Sequence, residues 1–224
     1  MKHLLNIAAI FLFTSCKNVQ VKTPEFSDST SLPQTKVISN DSLSNEQIIK
    51  VEQVSASRLL IPGKSIGLTT LNEKATLVNK RLGKADEGDA AMGKALLTWF
   101  SKPSANAKDS TKYSTTIYFV TNMGGPNEAS RVKQIRITSP FFMTLNRIGV
   151  TSILDSVLHY FPSAKKTALY NAADKTPVYI YDDVATGITF EINSKNKCVG
   201  ITIHEPNQKA FETYIAFLNG LKML

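Results

Sequence analysis

The clearest hydrophobic rhythm in the chain lies near its C-terminus. Ile188, Phe190 and Ile192, then Val199, Ile201 and Ile203, alternate with mostly polar residues. A period of two predicts strands over 187–193 and 198–204, each with one apolar and one polar side. The four residues between the two alternating runs, Ser194, Lys195, Asn196 and Lys197, predict a hairpin connection. Further strands are expected at 95–101, 114–121, 132–138 and 178–182, with Asn122 to Asn127 (NMGGPN) as a second turn. Alternation of this kind predicts a sheet packed on one face and wetted on the other.

Two other segments repeat every three to four positions. Leu71, Ala75, Val78 and Leu82 share one helical face, Thr70 and Glu73 have capping-box spacing, and Gly83 marks a stop. Ile153, Val157 and Tyr160 do the same after Ser152 and Asp155, with Leu154, Leu158 and Phe161 beside them, until Pro162. A closing helix is expected over about 208–219, between Asn207 and Gly220.

These elements come in a repeated order. IGLTT at 66–70 matches IGVTS at 148–152, IYFVTN at 117–122 matches ITFEIN at 188–193, and VKQIRIT at 132–138 parallels VGITIH at 199–204. The expected fold class is therefore α+β: two tandem repeats of a helix followed by an antiparallel sheet, one sheet face covered by helix. The repeats would span 61–140 and 141–224, the second including the C-terminal helix. With the IG…LG pattern of Ile66, Gly67, Leu82 and Gly83, its Leu-Gly ending the first helix, this arrangement resembles the tandem-repeat domains of β-lactamase inhibitory proteins. It also resembles the small outer-membrane-assembly lipoproteins built on a helix-plus-hairpin unit.

The N-terminus changes the picture from fold to address. MKHLLNIAAIFLFTSC has a basic start and a short apolar stretch, Leu4 to Phe13, that is too short for a permanent membrane span. Residues 1–15 read as a signal peptide. Phe13, Thr14, Ser15 and Cys16 resemble the lipobox of bacterial lipoproteins, which implies cleavage before Cys16 and lipid attachment to that residue. Lys17, where an Asp would signal inner-membrane retention, implies the outer membrane. Residues 16–60 form the lipidated cysteine and a flexible tether, rich in Ser, Thr, Asn and Gln, with five basic and five acidic residues between 17 and 60.

Composition then narrows the chemistry. The 224 residues contain 2 cysteines, against a disulfide scaffold or a four-cysteine zinc site. Cys198 would be the single thiol of a lipidated mature chain and reads as a small hydrophobe. Neither His159 nor His204 is followed by a second ligand two, three or four residues on, so no metal or other cofactor is implied. No G-x-S-x-G or phosphate loop occurs, and Asp86, Glu87 and Asp89 (KADEGD) read as a solvated acidic loop. Asp182 and Asp183 read as a polar strand end.

The basic excess lies in residues 61–140, with 12 Lys and Arg against 6 Asp and Glu. Such a face can meet an anionic lipid, a glycan or an acidic partner, whereas nucleic acid is excluded by export. Strand phase sets Tyr118, Arg136, Thr202 and His204 opposite the apolar positions, and Tyr179 and Tyr181 together on one side of their strand. These six form the expected binding face, because aromatic residues and Arg favour protein contact. The functional expectation is a membrane-anchored, non-catalytic cell-envelope lipoprotein, a protein-binding or scaffold module. The alternative is a cell-envelope hydrolase with an unidentified carboxylate site.

Overall fold

The computed structural model describes residues 53–102, 111–126, 128–213 and 220–224, all within one compact unit spanning Lys50–Leu224. The signal peptide, Cys16 and most of the tether lie outside the described residues, as do residues 214–219 of the expected closing helix.

Twelve strands and three short helices follow in chain order among the described residues. β1 (Leu60–Ile61), β2 (Ser65–Ile66) and β3 (Thr69–Thr70) form a small antiparallel sheet, followed by α1 (Ala75–Leu82). β4 (Glu87–Ala91), β5 (Lys94–Phe100), β6 (Ser114–Thr121) and β7 (Ser130–Ile137) make a meander. After α2 (Leu154–Tyr160), a second meander runs through β8 (Lys165–Asn171), β9 (Pro177–Asp183), β10 (Ile188–Asn193) and β11 (Cys198–Ile203). α3 (Ala210–Thr213) and β12 (Lys222–Met223) close the chain.

The expected fold class is corrected at this point. The described residues are mostly β, with 12% helix and 44% strand, rather than an α+β pair of helix-plus-sheet repeats. Both meanders belong to one nine-stranded antiparallel sheet, ordered β12-β8-β9-β10-β11-β7-β6-β5-β4. The seam is the β7–β11 pairing, where Ile137 stands opposite Ile201 and Ile135 opposite Ile203. The similar segments at 117–122 and 188–193 do fall on β6 and β10, but their hairpins are fused into a common sheet.

The helices are smaller than their periodicity suggests. The Thr70–Glu73 pair does not cap α1. Glu73 accepts the Thr70 N–H and is gripped by Arg81 through hydrogen bonds of 2.8 and 2.7 Å, while the helix starts only at Ala75. Gly83 does stop α1, at φ 79°, a conformation that favours glycine. Its carbonyl accepts a hydrogen bond from the indole N–H of buried Trp99, which places the single tryptophan in the core.

One face of the sheet carries Ile117, Phe119, Ile135, Ile137, Ile188, Phe190, Ile192, Ile201 and Ile203. They pack with Val78 of α1, Val157 of α2, and Leu60 and Ile66 of the small sheet. Phe161, at the end of α2, sets its ring 5.0 Å from that of Phe190. Burying each such side chain contributes about 1.5–3 kcal/mol.

The opposite face is not wetted as the alternation suggests. Thr116, Gln134, Thr189, Glu191, Thr202 and His204 on that face are buried. Polar residues can occupy a buried face when they find hydrogen-bond partners, and here most do, Gln134 Oε1 being a buried acceptor left without one. The Thr98 and Thr116 hydroxyls lie 3.0 Å apart, the Thr189 hydroxyl donates to Asp182, and Arg136 binds Glu191.

Candidate functional site

Residues directly opposite in an antiparallel ladder share a face, so register decides where the six expected binding residues go. Thr202 pairs with Arg136, and Tyr118 with Gln134, on the polar face. Tyr181 pairs with Phe190 and Tyr179 with Ile192, on the apolar face. The structure therefore brings Tyr118, Arg136, Thr202 and His204 to one side of the sheet and leaves Tyr179 and Tyr181 on the other. Tyr118, Thr202 and His204 are buried. Tyr179 and Tyr181 are half-buried beneath the Lys166 ammonium, which stands 4.1 Å from the Tyr179 ring centre and 5.8 Å from that of Tyr181.

Two polar clusters occupy the face that holds Arg136 and His204. In the first, the Arg136 guanidinium donates to Glu191 through Nε at 2.6 Å and Nη2 at 2.7 Å, and the Tyr170 hydroxyl donates to the same carboxylate at 2.7 Å. Burial opposes charge on Glu191, but Arg136 outweighs it and holds the carboxyl below its ordinary value. Burial, with the Glu191 charge, pushes the Tyr170 phenol far above its ordinary value. Burial also works against the Arg136 cation, and Glu191 more than compensates, so the guanidinium stays charged.

In the second cluster, Asp182 Oδ1 receives the Thr189 hydroxyl at 2.9 Å and lies 3.0 Å from His204 Nε2, while Oδ2 accepts the Ala210 N–H at 3.2 Å. His204 Nδ1 lies 3.1 Å from the Glu205 carbonyl oxygen. Asp182, expected as a polar strand end, and Tyr170, which carries no sequence signal, both belong to these clusters. The sheet order that joins them to His204 and Glu191 has no local signal. In both clusters the carboxylate oxygens are occupied by protein donors, which is the arrangement of a structural tie.

The accessible chemistry lies at the sheet edge. Among the described residues β4 pairs only with β5, and all five of its residues are exposed. Of the acidic residues expected in a loop, Glu87 and Asp89 are here in a strand, opposite Thr98 and Leu96, while Asp86 lies just before it. The Thr121 N–H donates to the Gly93 carbonyl, and the Ser101 N–H to the Tyr113 carbonyl, so the odd-numbered residues of β5 face β6. Its even-numbered residues then face β4, where their partners are Glu87, Asp89 and Ala91. The main-chain groups of Gly88 and Ala90 point outward, away from the sheet.

A shallow cleft flanks each side of this strand. On the apolar side, a cleft of about 550 Å³ is lined by Asn79, Ala85, Gly88, Ala90 and Leu97 among others. On the polar side, one of about 340 Å³ is lined by Asp89, Met92, Lys94, Leu96 and Tyr118. Of the six expected binding residues, Tyr118 alone takes part in either cleft. Among the described residues, no group of three or more His, Cys, Asp or Glu side chains is arranged to hold a metal ion.

Fold and site together define a β protein of two antiparallel sheets, the larger with an open acidic edge. No protein-family model matches the chain, and no curated protein or solved structure matches it at a significant level.

Proposed function

We propose that this protein is an exported, lipid-anchored cell-envelope module that binds an extended segment of a protein partner by strand addition at β4. The single observation that carries the reading is the outward-facing main chain of Gly88 and Ala90 between two clefts. A strand laid against β4 would bond to those groups and drop alternate side chains into the two clefts. Glu87 and Asp89 lie on one face of β4 and favour Lys or Arg at alternate positions of the partner. They also disfavour a second copy of β4, because antiparallel self-pairing centred on Asp89 would set like charges opposite each other.

Lipid attachment at Cys16, with outer-membrane placement, remains part of the reading and is supported by the Phe13 to Cys16 motif. A hydrolase would need a carboxylate available to substrate, whereas Glu191 and Asp182 are engaged by Arg136, Tyr170, His204 and Ala210.

The test places a photo-crosslinking residue at Glu87 in the full lipoprotein within its native envelope. A discrete adduct is expected, and Ala90→Pro should abolish it. Proline removes an outward N–H yet is tolerated on an edge strand. An adduct that survives Ala90→Pro, or none at all, would contradict the proposal.

A further inference from the structure

A second surface lies where the chain enters the domain. Three large apolar side chains stand in solvent at neighbouring turns: Leu68 (59% exposed), Phe141 (49%) and Leu145 (70%). Leu68 follows Gly67 in the β2–β3 turn, and a Cβ on Gly67 would come within 2.9 Å of the Phe142 ring. Phe142 meets Phe141 edge-on at 5.1 Å. Leu145 sits in a turn closed by the Arg147 N–H donating to the Thr144 carbonyl at 2.9 Å, and the buried Thr144 hydroxyl accepts the Ile148 N–H at 3.1 Å. The turn is anchored from below, so Leu145 is held out. The segments carrying these tips are joined by the Leu59–Met143 bridge.

Cations are set among the apolar tips. Arg58 donates through Nε to the Phe141 carbonyl at 3.2 Å, and its guanidinium lies 5.3 Å from the Phe141 ring centre. Arg147 shares a cleft with Arg58, Met143 and the first described residues, Gln53 to Ser55. Neither residues 53–71 nor 138–149 contain a single Asp or Glu. Exposed Leu and Phe on turn tips, with Arg and no acid, fit an interface that is apolar beneath and anionic above. A protein groove would not require acid to be absent from both segments.

We infer that this loop surface rests on an anionic phospholipid bilayer, with Leu68, Phe141 and Leu145 entering the headgroup boundary and Arg58 and Arg147 meeting lipid phosphates. The inference rests on the lipid-anchor reading only for the side from which the bilayer is reached, since the chain enters at this surface. It goes beyond that reading, because the folded domain itself would touch the membrane.

The experiment uses the full chain with Cys16→Ala, which removes the lipid, and measures sedimentation with phosphatidylglycerol-containing vesicles against pure phosphatidylcholine. Salt-sensitive binding to the anionic vesicles is expected. Phe141→Ser with Leu145→Ser should weaken it at least about tenfold. Arg58→Gln with Arg147→Gln should remove the preference for phosphatidylglycerol. All four residues are exposed, and an unchanged near-ultraviolet circular dichroism spectrum would show that the variants fold. No sedimentation, or sedimentation indifferent to both variant pairs, would overturn the inference. Membrane fractionation of the wild type reads lipid attachment separately.

Discussion

A Cβ placed on Gly200 would stand 2.7 Å from the carboxyl carbon of Glu191, so the glutamate side chain lies directly across the glycine on the facing strand. The close approach lets Glu191 reach Arg136 and Tyr170 beside it. The glutamate is pinned by three charge-assisted hydrogen bonds and cannot swing away easily. Gly200→Ala is expected to cost about 1–3 kcal/mol by overpacking, read from the urea midpoint. In an Arg136→Met, Glu191→Leu background the carboxylate is gone, and the cost should change by the coupling a double-mutant cycle reports.

Breaking the buried pair on one side should be worse than replacing it whole. Arg136→Met leaves Glu191 without its counter-ion and should destabilise by about 3–5 kcal/mol. Adding Glu191→Leu should recover most of that loss, because two apolar side chains bury without desolvating a charge. Equilibrium unfolding of the single and double variants checks the order.

The same pair sets a pH dependence. Arg136 holds Glu191, and Arg81 holds Glu73, below the ordinary carboxylate value in the folded state. Each contribution is therefore fully present above the unfolded pKa of about 4.3. It is lost as pH falls through the lower folded value. Stability should rise with pH through the acid range and level off above it, and Arg136→Met should flatten that rise. Urea titrations at a series of pH values measure the slope.

Cys198 should be inert while the protein is folded. Burial, reinforced by the Glu191 charge, pushes its thiol up to about 12, and the S–H donates to the Gly200 carbonyl. With Cys16→Ala, alkylation at mildly alkaline pH should run at least about a thousandfold slower in the native chain than in denaturant. Rapid native labelling would contradict this placement.

Strands that bury an alternating face were legible in the sequence. β6 spans Ser114–Thr121, the segment expected, and β10 and β11 fall within the two alternating runs. β4 was illegible, because an edge strand with five exposed residues carries no apolar rhythm, and EGDAA reads as a loop. β8 was hidden by its register shift between Lys166 and Ala168. The binding face fails to assemble for a different reason: polar alternation does not by itself distinguish a wetted face from a buried, self-satisfied one. The sheet instead buries Arg136 against Glu191 and His204 against Asp182, partners 55 and 22 residues apart that local spacing cannot pair.

Amide hydrogen exchange across β4, in the free protein and in the complex captured through Glu87, tests strand addition most directly. In the free protein, Gly88 and Ala90 should exchange quickly while Asp89 and Ala91, bonded to β5, exchange slowly. In the complex Gly88 and Ala90 should become protected. If they stay fast when the partner is bound, or are already protected without it, β4 is not where the partner joins the sheet.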